Sequence, residues 1–372
     1  MAGVLVHEWI AMHGGSENVF DQFVQAFPDA DIRCLWNDTG ADRYPGRTIN
    51  ESWLARTPLR KSKAAALPFM LNAWRDLPDD DYEWALISSH LFAHHATFKN
   101  TSPDFHKYVY VHTPARYIWT PELDARGNNP IARMMTPSLK SIDKKRAAEG
   151  ATFIANSKFV KARIERFWDQ EAKVIYPPVA VEEIQSVADW RTKLTGGELA
   201  ILEALPESFV LGASRFIPYK RLDLVIDAAE AVGMPAVLAG GGPLEAELRA
   251  QAEGRRVPVH FVTSPSNELL FALYQAATVF VFPAIEDFGI MPIEAVAAGA
   301  TTLVNALGGS SECLELGVSG VTFNDDIVHG LESAISISES HSSVDRKKTV
   351  LQLGRTQFRD AILKRVSQHE LA

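Results

Sequence analysis

Cysteine is nearly absent from this sequence, which has only Cys34 and Cys313 among its 372 residues. Two cysteines exclude a disulfide framework and a cysteine-based metal cluster. The start of the sequence also lacks a basic stretch followed by an apolar core, so we expect no secretory signal. A protein with this cysteine usage is expected in a reducing cytoplasm.

Long hydrophobic runs are missing as well. The longest stretches without a charged residue are Leu269 to Ile285 and Ala295 to Ser311. Both are shorter than the roughly 20 apolar residues that a membrane-spanning helix needs. Both are also interrupted by polar residues, proline or glycine, so we interpret them as helices and strands of a globular protein.

An excess of positive charge is also absent, since the formal net charge is −9. Residues 1–176 carry 22 Lys and Arg against 21 Asp and Glu, whereas residues 177–372 carry 15 against 25. This balance argues against sequence-independent binding of nucleic acid. The nearly neutral first half remains compatible with contact to an anionic surface.

The sequence does contain strand and helix patterns that alternate almost throughout, which predicts an α/β protein with parallel sheets covered by helices on both faces. No GxGxxG motif follows a predicted strand, so a nicotinamide or flavin site is not indicated. Pro177 and Pro178 form a stiff extended link and mark the expected domain boundary.

The most informative stretch runs from Phe282 to Glu312. A buried parallel strand is predicted before it, which places Glu286 in a loop at the carboxyl end of that strand. Glu294 follows in the first turn of a helix predicted to begin at Pro292. Two carboxylates in this loop context can accept hydrogen bonds from sugar hydroxyls. Without this loop context, the spacing between Glu286 and Glu294 would more often indicate two solvent-exposed acids at the start of a helix.

Backbone amides and cations accompany these acids. The amides of Phe288 and Gly289 lie near the predicted helix start, where phosphate is favoured. Arg215 and Lys220 flank another strand-to-helix loop, and two fixed cations suit a diphosphate. On that loop alone, a pair of solvated surface charges is an equal alternative.

Glycine follows two further predicted strands. Gly240 and Gly241 belong to a run that lets a ligand approach the backbone, and Gly14 and Gly15 precede the first helix of the chain. Taken alone, Gly14 and Gly15 are weak evidence for a ligand site, because such a pair more often forms a simple turn.

Histidine marks a second group of strand ends in the first half. His112 follows a strand and occupies a position typical of a cleft. His94 and His95 lie near another strand end, where we favour a polar cleft wall over a zinc site because no acid or cysteine has the ligand spacing.

The segment Arg56–Trp74 combines basic residues with apolar and aromatic ones. This composition suits a segment on a membrane surface. An ordinary helix that packs its apolar stripe on the core is an equally good alternative.

Three other stretches carry little functional information. Residues 180–206 look like an acidic excursion, and Ser336 to Asp345 is predicted as a polar loop. A final helix is predicted from about Arg346 to Gln368, with Gly354 as a weak point.

Taken together, these motifs resemble the family 4 retaining glycosyltransferases of GT-B fold. Each motif is weak alone, but their order and their positions at strand ends cover nearly the whole chain. The resemblance implies two Rossmann-like domains with parallel sheets facing a central cleft. It divides the chain into an acceptor domain (1–176), a nucleotide-sugar donor domain (177–350) and a C-terminal helix that packs back on the first domain (351–372).

The family's roles then extend to matching positions. Arg215 and Lys220 would bind the donor diphosphate and stabilise the leaving group, Glu286 would hold donor-sugar hydroxyls, and Glu294 would bind the ribose. His112 would lie beside the anomeric centre. Donor contacts from backbone or apolar groups are expected at Gly14, Gly15, Gly240, Gly241, Val262, Phe288, Gly289 and Ile290.

Family members need no metal or other cofactor, so none is expected here. The segments around His112 and around Gly14 look most similar to bacterial mannosyltransferases that build surface polysaccharides. GDP-mannose is therefore the first expectation for the donor, with a lipid-linked or polysaccharide acceptor. A nucleotide-sugar epimerase of the same fold and a non-catalytic nucleotide-sugar-binding protein remain as alternatives.

Overall fold

In the computed structural model, the described residues are 2–40, 43–75, 77, 81–99, 101–121, 130–340 and 342–367. The chain forms two compact units. The first unit comprises Met1–Pro178 together with Thr356–Ala372, and the second unit comprises Val179–Arg355.

The first unit is built on a parallel sheet of seven strands in the order β3-β2-β1-β4-β5-β6-β7. All neighbouring strands are parallel, and the order of the strands along the sheet reverses between β1 and β4. Such a switch point is where a crevice opens at the carboxyl ends of the strands. The strands are β1 Gly3–His7, β2 Asp31–Cys34, β3 Ile49–Glu51, β4 Trp84–Ser89, β5 His106–Val111, β6 Thr152–Ala155 and β7 Ala172–Val174.

The second unit has a parallel sheet of six strands in the order β10-β9-β8-β11-β12-β13. Its topological switch lies between β8 and β11. The predicted α/β class with parallel sheets is confirmed in both units. The strands are β8 Val210–Arg215, β9 Ala236–Gly241, β10 Val259–Thr263, β11 Val279–Phe282, β12 Thr301–Asn305 and β13 Gly320–Phe323.

Helices connect nearly all of these parallel strands. The helices of the first unit are α1 Gly15–Ala26, α2 Lys63–Ala73, α3 Arg116–Trp119, α4 Pro130–Ala147, α5 Lys158–Trp168 and, at the chain's end, α15 Arg355–Ser367. Those of the second unit are α6 Val181–Gln185, α7 Gly196–Glu203, α8 Asp223–Val232, α9 Glu245–Ala252, α10 Asn267–Ala276, α11 Ile290–Ala298, α12 Glu312–Glu315, α13 Ile327–Ser340 and α14 Ser343–Lys348.

Local sequence explains several helix starts. Ser157 accepts a hydrogen bond from the Val160 amide at 3.0 Å and caps α5. Thr195 and Glu198 form a reciprocal capping box at the start of α7. Such caps satisfy amides that the first helical turn leaves unpaired.

The helix after β11 begins earlier than predicted. Gly289 adopts a φ of 89° and precedes α11, which starts at Ile290 rather than at Pro292. A positive φ is accessible to glycine at low cost, so Gly289 turns the chain into the helix. Pro292 lies inside the first turn, where its missing N–H leaves no hydrogen bond unmade.

Two sequence predictions about loops and helices differ from the structure. The stretch predicted as a polar loop belongs mainly to α13 and α14, and its residue 341 lies outside the described residues. The acidic excursion at residues 180–206 contains α6, α7 and a short 3-10 turn. In α13, Leu331 and Ala334 are fully buried, so packing outweighs the polar composition. The predicted final helix is broken between α14 and α15, and residues 368–372 lie outside the described part.

No helix among the described residues is long and apolar enough to cross a membrane. Residues 53–61 form two 3-10 turns, and only residues 63–73 of the predicted surface segment are an α-helix.

The last helix belongs to the core of the first unit. On α15, Phe358 and Ile362 are buried among residues of the first sheet. The Phe358 ring stacks on Phe23 with a centroid distance of 5.9 Å and meets Tyr110 edge-on at 5.7 Å. The first unit therefore depends on residues from both ends of the chain.

We expect Phe358→Ala to lower the free energy of unfolding by roughly 3–5 kcal/mol, because it removes a buried ring and leaves a cavity. Urea unfolding followed by tryptophan fluorescence would measure this. Seven of the eight tryptophans (all except Trp190) lie in the first unit, so the signal reports mainly on it. Gln357→Ala, an exposed neighbour on the same helix, is the matched control and should change little. Equal stability of the two variants would contradict this packing role.

Candidate active site

The two predicted cations of the second unit occupy different environments. Arg215 ends β8 and is exposed, whereas Lys220 lies in a short 3-10 turn and is 8% exposed. The Lys220 ammonium forms an ion pair with the Glu286 carboxylate. It also lies 5.1 Å from the centroid of the Phe282 ring at the end of β11. The fold thus brings together a predicted cation and a predicted acid that are 66 positions apart.

The loop that carries Glu286 is held against the loop after β12. The Gly309 amide donates to the Glu286 carbonyl oxygen at 2.7 Å. A Cβ atom at Gly309 would lie 2.0 Å from the Asp287 carbonyl oxygen, so only glycine fits here. This contact fixes the backbone that aims Glu286 toward Lys220.

Three of the predicted donor-binding positions lie where α11 begins. Phe288 is buried, Gly289 precedes the helix, and Ile290 is its first residue. Unpaired amides at a helix start attract anions. The buried Ser310 hydroxyl lies close to Gly289, since a Cβ there would be 2.3 Å from the Ser310 Oγ.

Glu294 lies one turn into α11 and is half-buried. Burial raises its pKa from 4.5 to about 7; nearby Arg355 opposes this rise and Glu183 adds to it. Near neutral pH this carboxyl group therefore exists partly in the protonated form, which can donate as well as accept a hydrogen bond.

Gly240 and Gly241 end β9, beside the end of β10. The Phe216 amide donates to the Gly241 carbonyl oxygen and the Ser264 amide to that of Gly240, each at 2.8 Å. Gly240 has a φ of 142°, and a Cβ there would lie 1.9 Å from the Ser214 carbonyl oxygen. Close packing of the protein's own backbone therefore requires this glycine, whatever it does for a ligand. Val262 is buried near the end of β10.

In the first unit, Gly14 and Gly15 stand at the start of α1. A Cβ at Gly14 would lie 2.0 Å from Glu17 Oε2, so the glycine makes room for the Glu17 side chain to fold back. The Ser16 hydroxyl donates to Glu17 Oε2 at 2.8 Å. Burial alone would raise the pKa of Glu17, but the neighbouring His7 imidazole and the Ser16 hydroxyl lower it to about 2.

His112 is half-buried and joins a chain of polar side chains at the carboxyl edge of the first sheet. Its Nε2 lies 2.8 Å from the Ser88 Oγ at the end of β4, and that Oγ lies 3.0 Å from the Nδ1 of His7 at the end of β1. Burial and the neighbouring His7 lower the pKa of His112 to about 3, so His112 is neutral at physiological pH. The sequence analysis missed His7 and Ser88, which lie at the carboxyl ends of β1 and β4.

The interpretation of His94 and His95 as a cleft wall is wrong, because both are buried around Asp143 of α4. Their Nε2 atoms lie 3.1 and 2.9 Å from Asp143 Oδ1, and the indole groups of Trp119 and Trp168 each donate to Oδ2 at 2.7 Å. The three donor atoms are close enough to share a metal ion. His95 Nε2 and the two indole groups hydrogen-bond to the two carboxylate oxygens, so Asp143 is the centre of a buried hydrogen-bond network. Sequence spacing gave no signal for Asp143.

Most of the second unit is similar to a known protein family. Residues 201–350 match the family model described as glycosyl transferases group 1. This stretch is a group 1 glycosyltransferase domain. The group 1 domain contains Arg215, Lys220, Glu286 and Glu294.

Curated relatives match part of the chain. One is the O-antigen chain mannosyltransferase C of Escherichia coli, with 31% identity over 49% of this chain and 45% of the relative. Another is the D-rhamnosyltransferase WbpZ of Pseudomonas aeruginosa, with 33% identity over 36% of this chain and 32% of the relative. The alignments span less than half the length of either relative.

Solved structures match the whole chain and its two-unit architecture. Anabaena Alr3699/HepE in complex with UDP has a TM-score of 0.70 at 17% identity, covering 99% of this chain and 100% of that one. WaaG, a glycosyltransferase involved in lipopolysaccharide biosynthesis, has a TM-score of 0.67 at 12% identity, covering 98% and 100%. The predicted GT-B fold is confirmed.

The raised pKa of Glu294 predicts a pH-dependent stability. The unfolded carboxyl group loses its proton near pH 4.5 and the folded one near pH 7, so the wild-type free energy of unfolding should fall as pH rises between these values. The Glu294→Gln variant has no carboxyl group at this position, so its free energy of unfolding should not fall with pH in this way. We expect it to be more stable than the wild type at pH 8 by about 1–3 kcal/mol and nearly equal at pH 4.5.

Urea unfolding followed by circular dichroism at the two pH values would measure the difference. Glu268→Gln, at an exposed position on α10, is the control. A stability difference for Glu294→Gln that does not change with pH would show that burial does not perturb this carboxyl group.

Proposed function

We propose that this protein is a retaining glycosyltransferase that moves a hexosyl unit from a nucleotide sugar to a lipid-linked or polysaccharide acceptor. The observation that carries the proposal is the ion pair between Lys220 and Glu286 beside the start of α11, within the group 1 domain. It places a cation, an acid and helix amides around one loop.

Each group has a chemical task in this proposal. Lys220 and Arg215 neutralise the charge that develops on the departing nucleoside diphosphate. Electrostatic stabilisation of this kind is often the largest contribution to transition-state stabilisation. The amides from Phe288 to Ile290 contact phosphate and sugar oxygens. Glu286 accepts hydrogen bonds from sugar hydroxyls and from its partner Lys220.

The remaining predicted positions complete the donor site. Glu294 binds the ribose hydroxyls, Gly240 and Gly241 line the nucleotide site, and the base lies near Val262. The proposal also assigns contacts with the donor's sugar and phosphate to Gly14 and Gly15, and the position beside the anomeric carbon to His112.

The cations supply the positive charge that a metal would otherwise provide, so the proposed transfer needs neither metal nor cofactor. No side chain is assigned as a nucleophile, and we propose that the acceptor attacks from the face that the leaving group vacates. This front-face transfer retains the anomeric configuration.

Mannose from GDP-mannose is the proposed donor. The similarity to an O-antigen chain mannosyltransferase of Escherichia coli supports it. The groups assigned above bind phosphate, ribose and sugar hydroxyls, which all nucleotide sugars share, so the choice of base is the part of the proposal that needs its own test.

We also propose that the protein acts in the cytoplasm, at the inner face of the cell membrane. The surface formed by Arg56–Trp74 and its neighbour Trp53 supports this. Trp53 and Phe69 are 40% and 44% exposed, with ring centroids 6.4 Å apart, and Arg56, Lys61 and Lys63 of the same segment are also exposed. A segment with exposed aromatic rings and exposed cations suits the interface of an anionic bilayer.

A nucleotide panel tests the donor. We expect GDP and GDP-mannose to raise the melting temperature, because a ligand that binds only the folded state adds about 2.7 kcal/mol at a hundredfold excess over its dissociation constant. UDP, ADP and their sugar conjugates are the comparison. A rise in melting temperature with UDP compounds alone would show that the donor is a UDP-sugar and not GDP-mannose. No rise with any nucleotide would overturn the proposed function.

Conversion of the donor without an acceptor would indicate an epimerase, and binding of the donor without cleavage would indicate a non-catalytic protein.

Two single-residue variants, compared in an assay of mannosyl transfer, distinguish a cation of the diphosphate site from an exposed surface cation. We expect Lys220→Ala to lower mannosyl transfer by about 10²–10³-fold, the range seen when a group that stabilises developing charge is removed. The adjacent Arg221 is exposed and paired with Asp223, so Arg221→Ala is the control and should retain activity. Near-normal transfer by Lys220→Ala would refute the assigned site.

Liposome flotation tests the membrane proposal. We expect the protein to float with vesicles that contain anionic lipid, and to do so less at high salt, because electrostatic attraction contributes. Phe69→Asp should abolish flotation, whereas Leu351→Asp, at an exposed apolar position of the second unit, should not. Complete recovery of the wild type in the unbound fraction would remove the proposal.

A further inference from the structure

Among the described residues, no lysine or arginine side chain pairs with the carboxylate of Asp143, which is completely buried on α4. Two imidazoles and two indoles surround its oxygens, and none of these groups carries a permanent positive charge. The buried Lys107 ammonium donates instead to the carbonyl oxygens of His94 and Ala96, at 2.6 and 2.9 Å. A carboxylate buried without a cation is costly, so this site favours the binding of one.

His94 stands outside the hydrogen-bond network around Asp143. Its side chain is completely buried and its Nε2 lies 3.1 Å from Asp143 Oδ1, yet this nitrogen has no hydrogen-bond partner among the described residues. By contrast, His95 Nε2 hydrogen-bonds to the same oxygen at 2.9 Å. Buried polar atoms are nearly always paired, so the His94 nitrogen is suited to bind a group from outside the chain.

The groups around the cluster are arranged like the outer shell of a metal site. Trp119 and Trp168 each donate to Asp143 Oδ2 at 2.7 Å, and Oδ1 is the oxygen that lies beside both imidazoles. The other nitrogen of the His94 ring, Nδ1, lies 3.2 Å from Ser89 Oγ. Metal-binding histidines and carboxylates are usually held in this way, by hydrogen bonds at the atoms that do not touch the metal.

We propose that His94 Nε2, His95 Nε2 and Asp143 Oδ1 bind a zinc ion. The three atoms lie within 4.8 Å of one another. Zinc bonds of about 2.0–2.2 Å hold tetrahedral ligand atoms roughly 3.3–3.5 Å apart, so small movements of these side chains close the site. Each neutral imidazole then carries its single hydrogen on Nδ1, and the bonds to zinc replace the hydrogen bond from His95 to Asp143.

Burial gives this ion a structural role. The three ligand residues are each 1% exposed or less, whereas catalytic zinc keeps a position open to substrate. His94 and His95 belong to the 3-10 turn Ala93–His95 after β4, and Asp143 belongs to α4, so the ion ties α4 to this turn. The cluster of the described residues holds three such ligands, and a water molecule takes the fourth position.

Elemental analysis of untagged protein, purified without chelators, measures the ion directly. We expect about one zinc per chain, the stoichiometry of a single site. Because the ligands are buried, EDTA should remove the zinc only when urea opens the protein. Protein stripped in this way and refolded should take up zinc again and melt at a higher temperature than its zinc-free form, since binding is coupled to folding.

Two adjacent serines of β4 provide a matched pair of variants. Ser89→Ala removes the group beside His94 Nδ1 and leaves all three ligands in place, so we expect it to lower zinc affinity about 10–100-fold. Ser88 is equally buried but contacts His7 and His112, so Ser88→Ala should bind zinc as the wild type does. Competition with a coloured chelator measures these affinities.

A third variant controls for zinc on the surface. His329→Gln removes an exposed histidine that lies 3.8 Å from Glu332, and it should not change the zinc content. Asp143→Asn removes a ligand and should lose the zinc.

Wild-type protein that holds no zinc as purified and takes up none on refolding would overturn the proposal, even if every variant failed to fold. So would equal zinc affinities of folded Ser89→Ala and Ser88→Ala. The cluster would then be a hydrogen-bond network only. These measurements are made without the transfer reaction, so they are independent of the proposed function.

Discussion

The parallel direction of every strand pair is the constraint on which the rest of the structure depends. A parallel sheet collects all of its strand ends at one edge, so residues far apart in sequence become neighbours there. His7, Ser88 and His112 meet in this way in the first unit, and Lys220 and Glu286 meet in the second. Helices cover the faces of each sheet, and thus the carboxyl edge is where polar groups can be gathered.

Burial determines the chemistry of the groups that meet at these edges. It raises the pKa of Glu294 and lowers that of His112, whereas Glu17 stays ionised because His7 and Ser16 compensate for its burial. A similar sheet edge can therefore present a neutral acid, a neutral base or a fixed charge, according to what lies beside each group. Glycines at Gly14, Gly240 and Gly309 allow these close approaches, because a Cβ atom at any of them would overlap a neighbour.

The sequence predicted the α/β class, the strand ends and most residues now found near them, because period and turn chemistry are local properties. These predictions failed where packing between distant parts of the chain determines the local structure. The serine-rich stretch at the end of α13 is helical because buried apolar residues anchor that helix, and Pro292 does not begin α11 because Gly289 starts it two residues earlier. Asp143 could not be paired with His94 and His95 from spacing, since helix packing alone brings α4 to them. The Ser88 bridge is of the same kind, because it joins three separate strands.

The return of α15 to the first unit has a consequence for synthesis of the chain. Phe23 and Tyr110 lack their partner Phe358 until the residues of the second unit, which precede Phe358 in the sequence, have been synthesised. The first half of the nascent chain therefore exposes the apolar residues that α15 covers while the second unit is still being made, and exposed apolar surface of this kind favours aggregation. The second unit has no such dependence, since Val179–Arg355 is one continuous segment. It can complete its fold first, although it is synthesised second.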